Sequence, residues 1–157
     1  MKSGIELTAP AGPGQLEPPE AAAWHRTAPF FLQALVDLSL HGVTIADAEG
    51  IIRSASPACR RIYGWGPEDI IGRHFREFYA DPQALNRMLA EARRKGRVDR
   101  WPMATRTREG QAVPVAVTLV RIYGDTGHLL GSLALIEDRR QPQELVHQLR
   151  QQELDLI

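Results

Sequence analysis

Residues 101–138 read WPMATRTREGQAVPVAVTLVRIYGDTGHLLGSLALIED, and this stretch decides the fold. Apolar side chains recur at every second position in three runs, which start at Trp101, Val113 and Leu129. A period of two is that of a half-buried β-strand, and glycine-containing turns separate the runs. The stretch therefore predicts an antiparallel meander of three strands.

Upstream of the meander, two β-prone runs at 42–46 and 51–54 flank a turn that ends at Gly50. They predict a hairpin, because glycine tolerates the backbone of a tight turn. Two strands, then helices, then three strands predict an α+β fold: a five-stranded antiparallel sheet with helices on one face.

The helical stretch between hairpin and meander carries two start signals. Ser56-Pro57 and Asp81-Pro82 each place a capping residue before a proline, which favours the first helical position. The second signal opens a helix with apolar residues at helical spacing, and Gly96 ends it.

Further helices flank this core. Pro29 opens a predicted helix over 30–40, preceded by a short helical turn over 20–26, and Gln143 begins a polar helix. Their apolar stripes are candidate dimer contacts: Phe31, Leu35, Leu38, Leu145, Leu149 and Leu156. The first stripe packs either on its own domain or on a second copy. The predicted organisation is a leader over 1–28, a flanking helix over 29–41, a domain over 42–138 and the start of a signalling helix over 139–157.

Composition excludes several classes of protein. The 19 Lys and Arg residues balance 19 Asp and Glu, so we expect no nucleic-acid partner. No apolar run approaches the roughly 20 residues of a membrane span, and we find no signal peptide. Cys59 is the single cysteine, which excludes an internal disulfide and a multi-cysteine metal site. We expect a cytoplasmic protein.

The order of several short motifs resembles the PAS family, including its PAC motif, over residues 30–142. Asp138 stands where that family closes with Asp-Ile-Thr, but Arg139-Arg140 replaces Ile-Thr. The other matching segments are the hairpin 42–52, Ser56-Pro57-Ala58, Tyr63-Gly64-Trp65, residues 68–73, 106–110 and 113–115.

The resemblance implies the PAS fold, flanked here by N- and C-terminal helices, and a sensory role in signal transduction, typically in a bacterial two-component system. It implies a homodimer that senses a small ligand and relays its state through Asp138 to a C-terminal effector. That effector is a histidine kinase, a diguanylate cyclase or a transcription regulator. The alternative is a ligand-free dimerisation or protein interaction domain.

The resemblance also places a ligand pocket between sheet and helices. Its predicted lining is Ile45, Ile52, Phe75, Met88, Trp101, Met103, Val115, Val117, Leu133 and Leu135. The alternation does not tell which strand face points inward. The same residues would equally serve as a close-packed core.

We expect no cofactor. The flavin class of the family carries a reactive cysteine where this chain has Phe75, so its photochemistry is excluded, although Trp101 leaves non-covalent flavin as an alternative. Haem needs an axial ligand, and the predicted helix after Asp81 contains no histidine. His74 is the candidate nearest that helix.

We also expect no enzyme activity and no metal, because no catalytic or metal-ligand motif occurs. His147-Gln148-Leu149-Arg150 resembles the phospho-accepting box of histidine kinases, but Gln148 replaces the acidic neighbour of that box. A phospho-accepting fragment therefore remains a third hypothesis.

Overall fold

The computed structural model describes residues 19–140 and 142–155. The elements are α1 (Pro19–Leu38), β1 (Gly42–Asp47), β2 (Ile52–Ala55), α2 (Cys59–Tyr63), α3 (Pro67–Ile70), a short 3₁₀ helix (Phe75–Phe78), α4 (Pro82–Lys95), β3 (Arg97–Arg106), β4 (Ala112–Tyr123), β5 (Leu129–Asp138) and α5 (Pro142–Asp155). Within this part of the chain, no helix combines the length and apolarity that crossing a bilayer requires.

The five strands form one antiparallel sheet in the order β2-β1-β5-β4-β3, which confirms the predicted sheet and meander. β5 is the central strand, between β1 and β4. One sheet face packs against α2, α3 and α4 in a core that includes Ile70, Met88, Val115, Val117 and Ile136. Each of these side chains is at most 1% exposed.

The helix predicted to start at Asp81-Pro82 is α4, and both of its ends are confirmed. We call it the lid helix. The Asp81 carboxylate accepts hydrogen bonds from the amides of Gln83 at 2.9 Å and Ala84 at 3.3 Å, so it caps the helix. Gly96 ends the helix with φ of 84°, a left-handed conformation that favours glycine. The helix buries Leu85, Met88 and Ala92 against the sheet.

The capping role predicted for Ser56 is wrong. α2 begins at Cys59, and no side chain caps it. Ser56 is fully buried, and its hydroxyl instead bonds β1: it accepts from the Val43 amide at 2.8 Å and donates to the His41 carbonyl at 3.1 Å. The Ser-Pro pair thus joins the first strand to the start of the helical layer.

The predicted break at Pro29 is also wrong, because α1 is one helix with Pro29 inside it. A proline removes one helical hydrogen bond and can bend a helix without ending it. The chain divides into two units between Leu35 and Val36, so most of α1 belongs to the first. Within that unit, the Trp24 and Phe31 rings contact each other with centroids 5.3 Å apart. Residues 1–18, most of the predicted leader, lie outside the described residues.

β3 begins at Arg97, four residues before the predicted start at Trp101. The pairing with β4 is irregular between Val98 and Trp101, and Arg100 has a φ of 46°. The Arg100 amide donates to the Thr118 hydroxyl at 3.1 Å. This bulge interrupts the alternation, which is why the pattern in the sequence starts only at Trp101.

Candidate ligand cavity and exit helix

The register of β1 and β5 decides which residues face the helices. Directly paired residues share a sheet face, and Thr44 pairs with Ala134 whereas Ile45 pairs with Leu133. Ala134 belongs to the core cluster beneath the helices, so the even-numbered residues of these strands point inward.

The prediction that Ile45, Leu133 and Leu135 line the pocket is therefore wrong. These three residues lie on the opposite face of the sheet. Leu133 is 37% exposed there. β5 carries apolar residues in both phases of its alternation, which is why the sequence pattern could not separate the two faces.

The other predicted residues lie on the helix side. Ile52 and Phe75 line a small cavity between sheet and helices. Met88, Met103, Val115 and Val117 are buried in the core cluster, and half-buried Trp101 packs against it. These five residues therefore pack in or against the core and do not line the small cavity.

This inner cavity has a volume of about 10 Å³. Its lining is Thr44, Ala46, Ile52, Tyr63, Phe75, Phe78, Tyr79, Leu119, Ser132 and Ala134. Such a space holds about one water molecule, whereas pockets for larger ligands have roughly 300–1,000 Å³. Neither flavin nor haem fits it with the side chains as they stand. Most of this lining was not predicted from the sequence; the small polar residues Thr44 and Ser132, in the opposite phase to Ile45 and Leu133, were the available signal.

Four residues that border the inner cavity carry hydroxyl groups, and none carries a charge. Burial raises the pKa of both Tyr63 and Tyr79 above the usual value for a phenol, so both hydroxyls stay protonated at neutral pH. Thr44 and Ser132 add two more hydroxyls. The lining therefore carries hydroxyl groups and no charged side chain.

A second space, which we call the mouth cavity, opens beside the first and has a volume of about 180 Å³. Phe75, Leu119 and Ser132 border both cavities, so one layer of side chains separates them. The rest of the mouth lining is Asp47, Ala48, Glu49, Gly50, His74, Arg76, Leu89, Arg93, Arg121, Leu129 and Gly131. The mouth is charged where the inner cavity is neutral.

The candidate cofactor ligands are placed away from the inner cavity. His74 borders the mouth, and its Nδ1 accepts a hydrogen bond from the Arg76 amide at 3.1 Å. Cys59 is buried next to Ser56, and burial raises the pKa of its thiol. Among the described residues, no three His, Cys, Asp or Glu side chains lie close enough together to hold a metal ion.

The end of β5 is joined to both neighbouring helices by Arg140. Its guanidinium, only 6% exposed, pairs with the Asp138 carboxylate and donates to the Arg61 carbonyl of α2 at 2.9 Å. The same guanidinium donates to the Gln148 side chain of α5. Arg140 was not predicted to matter; it occupies the position where the family signature has threonine, and a longer side chain there was the signal.

The residues predicted at a dimer interface are placed as follows. Phe31, Leu35 and Leu38 are exposed on α1. On α5, Leu149 is exposed and Leu145 is half-buried, whereas Leu156 lies outside the described residues. α5 stands over a polar cleft of about 610 Å³ whose lining includes Arg60, Gln148 and Gln152.

Comparison with known proteins agrees with this geometry. A family model described as a PAS domain matches residues 40–141. No curated protein matches the chain. The PAS domain of a protein from Colwellia psychrerythraea is 17% identical, with a TM-score of 0.64, over 71% of this chain and 96% of that one.

Two further solved structures are similar. The PAS domain of a two-component sensor histidine kinase is 14% identical, with a TM-score of 0.62, over 73% of this chain and 99% of that one. An RNA-binding light-oxygen-voltage receptor is 20% identical, with a TM-score of 0.64, over 88% of this chain and 40% of that one.

An antiparallel sheet covered on one face by short helices, with a small cavity between the layers, defines a class of α+β domain. The family match over residues 40–141 makes the assignment specific: this chain belongs to the PAS domain family.

Proposed function

We propose that this chain is the sensory module of a signal-transduction protein, which converts a change at its cavities into a movement of α5. One observation carries the proposal: β5 lines the inner cavity through Ser132 and Ala134, and the same strand ends at Asp138, which pairs with Arg140. A ligand that displaces the strand would therefore act on α5, the exit helix of the domain, over a short covalent path.

The contacts that hold α5 on the domain favour such a movement. Its contacts with the domain include the bond from Arg140 to Gln148, and the cleft beneath it is polar and open. A helix held by a few polar contacts detaches at a lower free-energy cost than one packed into a core. The partner of the moving helix would be an effector such as a histidine kinase, a diguanylate cyclase or a transcription regulator.

Hydrogen exchange measured by mass spectrometry tests the relay. Arg140→Gln removes the ion pair with Asp138 and the hydrogen bond to the Arg61 carbonyl, so exchange should rise in α5 and stay unchanged in β4. Arg139→Gln is the matched control, because it removes the same charge from the neighbouring exposed residue. Equal exchange of α5 in the two variants would show that Arg140 does not hold the helix, and the relay would be wrong.

The proposal includes a homodimer held by the flanking helices. Phe31, Leu35 and Leu38 leave an apolar stripe on α1 exposed, and pairing with a second copy would bury it. Leu35→Glu should shift the chain towards monomer in sedimentation experiments across a concentration series. Its matched control is Gln33→Glu, which adds a negative charge to the same helix. A wild-type chain that stays monomeric at high micromolar concentration contradicts the dimer.

The alternative function is a ligand-free dimerisation domain, and the 10 Å³ inner cavity favours it because side chains fill most of the space. Native mass spectrometry of the purified chain separates the two functions. A small molecule that stays bound to the chain supports the sensor function. A dimer without any bound small molecule supports the alternative. We expect no catalytic turnover in either case, and no phosphorylation of exposed His147 by a kinase.

A further inference from the structure

Positive side chains outnumber negative ones in the lining of the mouth cavity. Six residues of its lining carry charged or titratable side chains: Asp47, Glu49, His74, Arg76, Arg93 and Arg121. Among them are three arginines and two carboxylates.

One of the two carboxylates is already engaged. Asp47 accepts from the amides of Glu49 and Ile51, both at 3.0 Å, and pairs with Arg53 at 2.8 Å on the outside of the turn. Glu49 is exposed at the rim. The carboxylates of the mouth therefore leave its arginines unneutralised.

The Arg121 guanidinium lies over the Tyr123 ring, 5.7 Å from its centroid, yet one of its nitrogens lacks a hydrogen bond. Its Nε is buried, and it is the one buried side-chain nitrogen or oxygen in the described residues without a hydrogen bond. Within that same part of the chain, neither Arg121 nor Arg93 forms an ion pair. A buried donor without an acceptor destabilises the fold, and more so when it is charged, so an acceptor that reached this nitrogen would be bound favourably.

Apolar side chains beside the arginines form part of the mouth wall. Phe75, Leu89 and Leu119 line the mouth, and Phe75 and Leu119 also border the inner cavity. A ligand that fills this space needs an anionic head for the guanidinium groups and a short apolar tail for this wall. At about 180 Å³, the space is smaller than the roughly 300 Å³ at which pockets for drug-sized ligands begin.

We propose that the mouth cavity binds a small organic carboxylate, whose head group pairs with Arg121 and Arg93 and whose tail lies against Phe75 and Leu119. A planar guanidinium presents two parallel N–H groups to a carboxylate, which makes such pairs strong and directional. The inference rests on the proposed sensor function and names the chemical class of its ligand. The tail would press on the side chains that separate mouth from inner cavity, next to Ser132 of β5.

The test is a titration of the 157-residue chain with sodium butyrate, followed by ¹H–¹⁵N NMR at constant ionic strength. The amides of Leu119 and Ser132 should shift and saturate. Arg121→Gln should lower the affinity for butyrate at least about tenfold, because the charge-assisted pair between guanidinium and carboxylate is lost. Arg87→Gln, which removes an exposed arginine from the same helix as Arg93, should leave the affinity within about twofold.

Three other ligands distinguish the sources of any binding. 1-Butanol matches the tail without the charge, and inorganic phosphate matches the charge without the tail, so both should bind more weakly than butyrate; sodium chloride should produce no saturable shift. If butanol binds as tightly as butyrate, the proposed recognition of the carboxylate is wrong. If phosphate binds as tightly as butyrate, the proposed contact of the apolar tail is wrong. Butyrate binding unchanged in Arg121→Gln, or no saturable binding of butyrate, would overturn the site.

Arg121→Lys provides a second variant if Arg121→Gln does not fold. It keeps the charge but loses the two-pronged geometry, so it should also weaken butyrate. Failure of this proposal is distinct from failure of the sensor: α5 exchange in Arg140→Gln tests the relay without any ligand.

Discussion

Replacement of Ser56 by alanine tests how the first strand is held to the helical layer. The Ser56 hydroxyl is 0% exposed and lies between the Val43 amide at 2.8 Å and the His41 carbonyl at 3.1 Å. Ser56→Ala removes both bonds and leaves the backbone otherwise unchanged. The Ser56 amide still donates to the Val43 carbonyl at 2.8 Å, so the strand keeps one anchor.

The expected loss follows from which backbone groups keep a partner. The His41 carbonyl also accepts a hydrogen bond from the Ser39 hydroxyl at 3.0 Å, so it keeps a donor. Val43 is buried, and its amide would be left without an acceptor, which costs about 1–3 kcal/mol. We therefore expect a decrease of about 2 kcal/mol in the free energy of unfolding.

Urea unfolding followed by tryptophan fluorescence measures this loss. The matched control is Ser54→Ala on β2, a half-buried serine, which should cost less than about 0.5 kcal/mol. Hydrogen exchange then distinguishes two roles of Ser56, holding β1 and capping α2. If Ser56 holds β1, the Val43 amide should exchange faster in Ser56→Ala. If Ser56 capped α2, the first amides of α2 would exchange faster instead. A variant as stable as Ser54→Ala, or faster exchange confined to α2, would refute the role of Ser56 in holding β1.

Two further predictions concern the core and the buried tyrosines. Ile136→Ala should cost about 2–5 kcal/mol because Ile136 is 0% exposed, and Leu133→Ala should cost clearly less because Leu133 is 37% exposed on the other face; urea unfolding of both variants checks the assignment of the faces. Because burial raises the pKa of Tyr63 and Tyr79, the unfolded chain releases their protons first as pH rises, so stability should hold below about pH 10 and fall above it by up to about 1.4 kcal/mol per pH unit for each tyrosine. Tyr63→Phe should make that fall shallower, and an unchanged slope would contradict the assignment to Tyr63.

The sheet and the lid helix were predictable because each rests on a local pattern. Alternation along β4 specifies a strand wherever it lies, and Asp81 caps α4 within a few residues of sequence. The resemblance to the PAS family depended on the order of such local signals, and the family match confirms it.

The inward face of β1 and β5 was not predictable, because it depends on partners distant in sequence. Leu133 and Ala134 are both apolar, and only the pairing of β5 with β1 and β4 decides which of them the helices cover. Ser56 shows the same limit: Ser-Pro favours a helix start locally, but the buried amide of Val43 offers the hydroxyl a better partner.

Arg140 shows how a departure from a family signature can alter the route from sensor to effector. A threonine at this position has a short side chain, whereas the arginine reaches Asp138, the Arg61 carbonyl and Gln148 together. The exit helix is therefore joined to α2 as well as to β5, and the polar cleft beneath α5 lies on the α2 side. In the proposed sensor, a displacement of either element reaches α5 through the same guanidinium. A ligand at the mouth would act on β5 beside Ser132, and a protein partner could bind against α2. The two would then oppose or reinforce each other through the same movement of the exit helix.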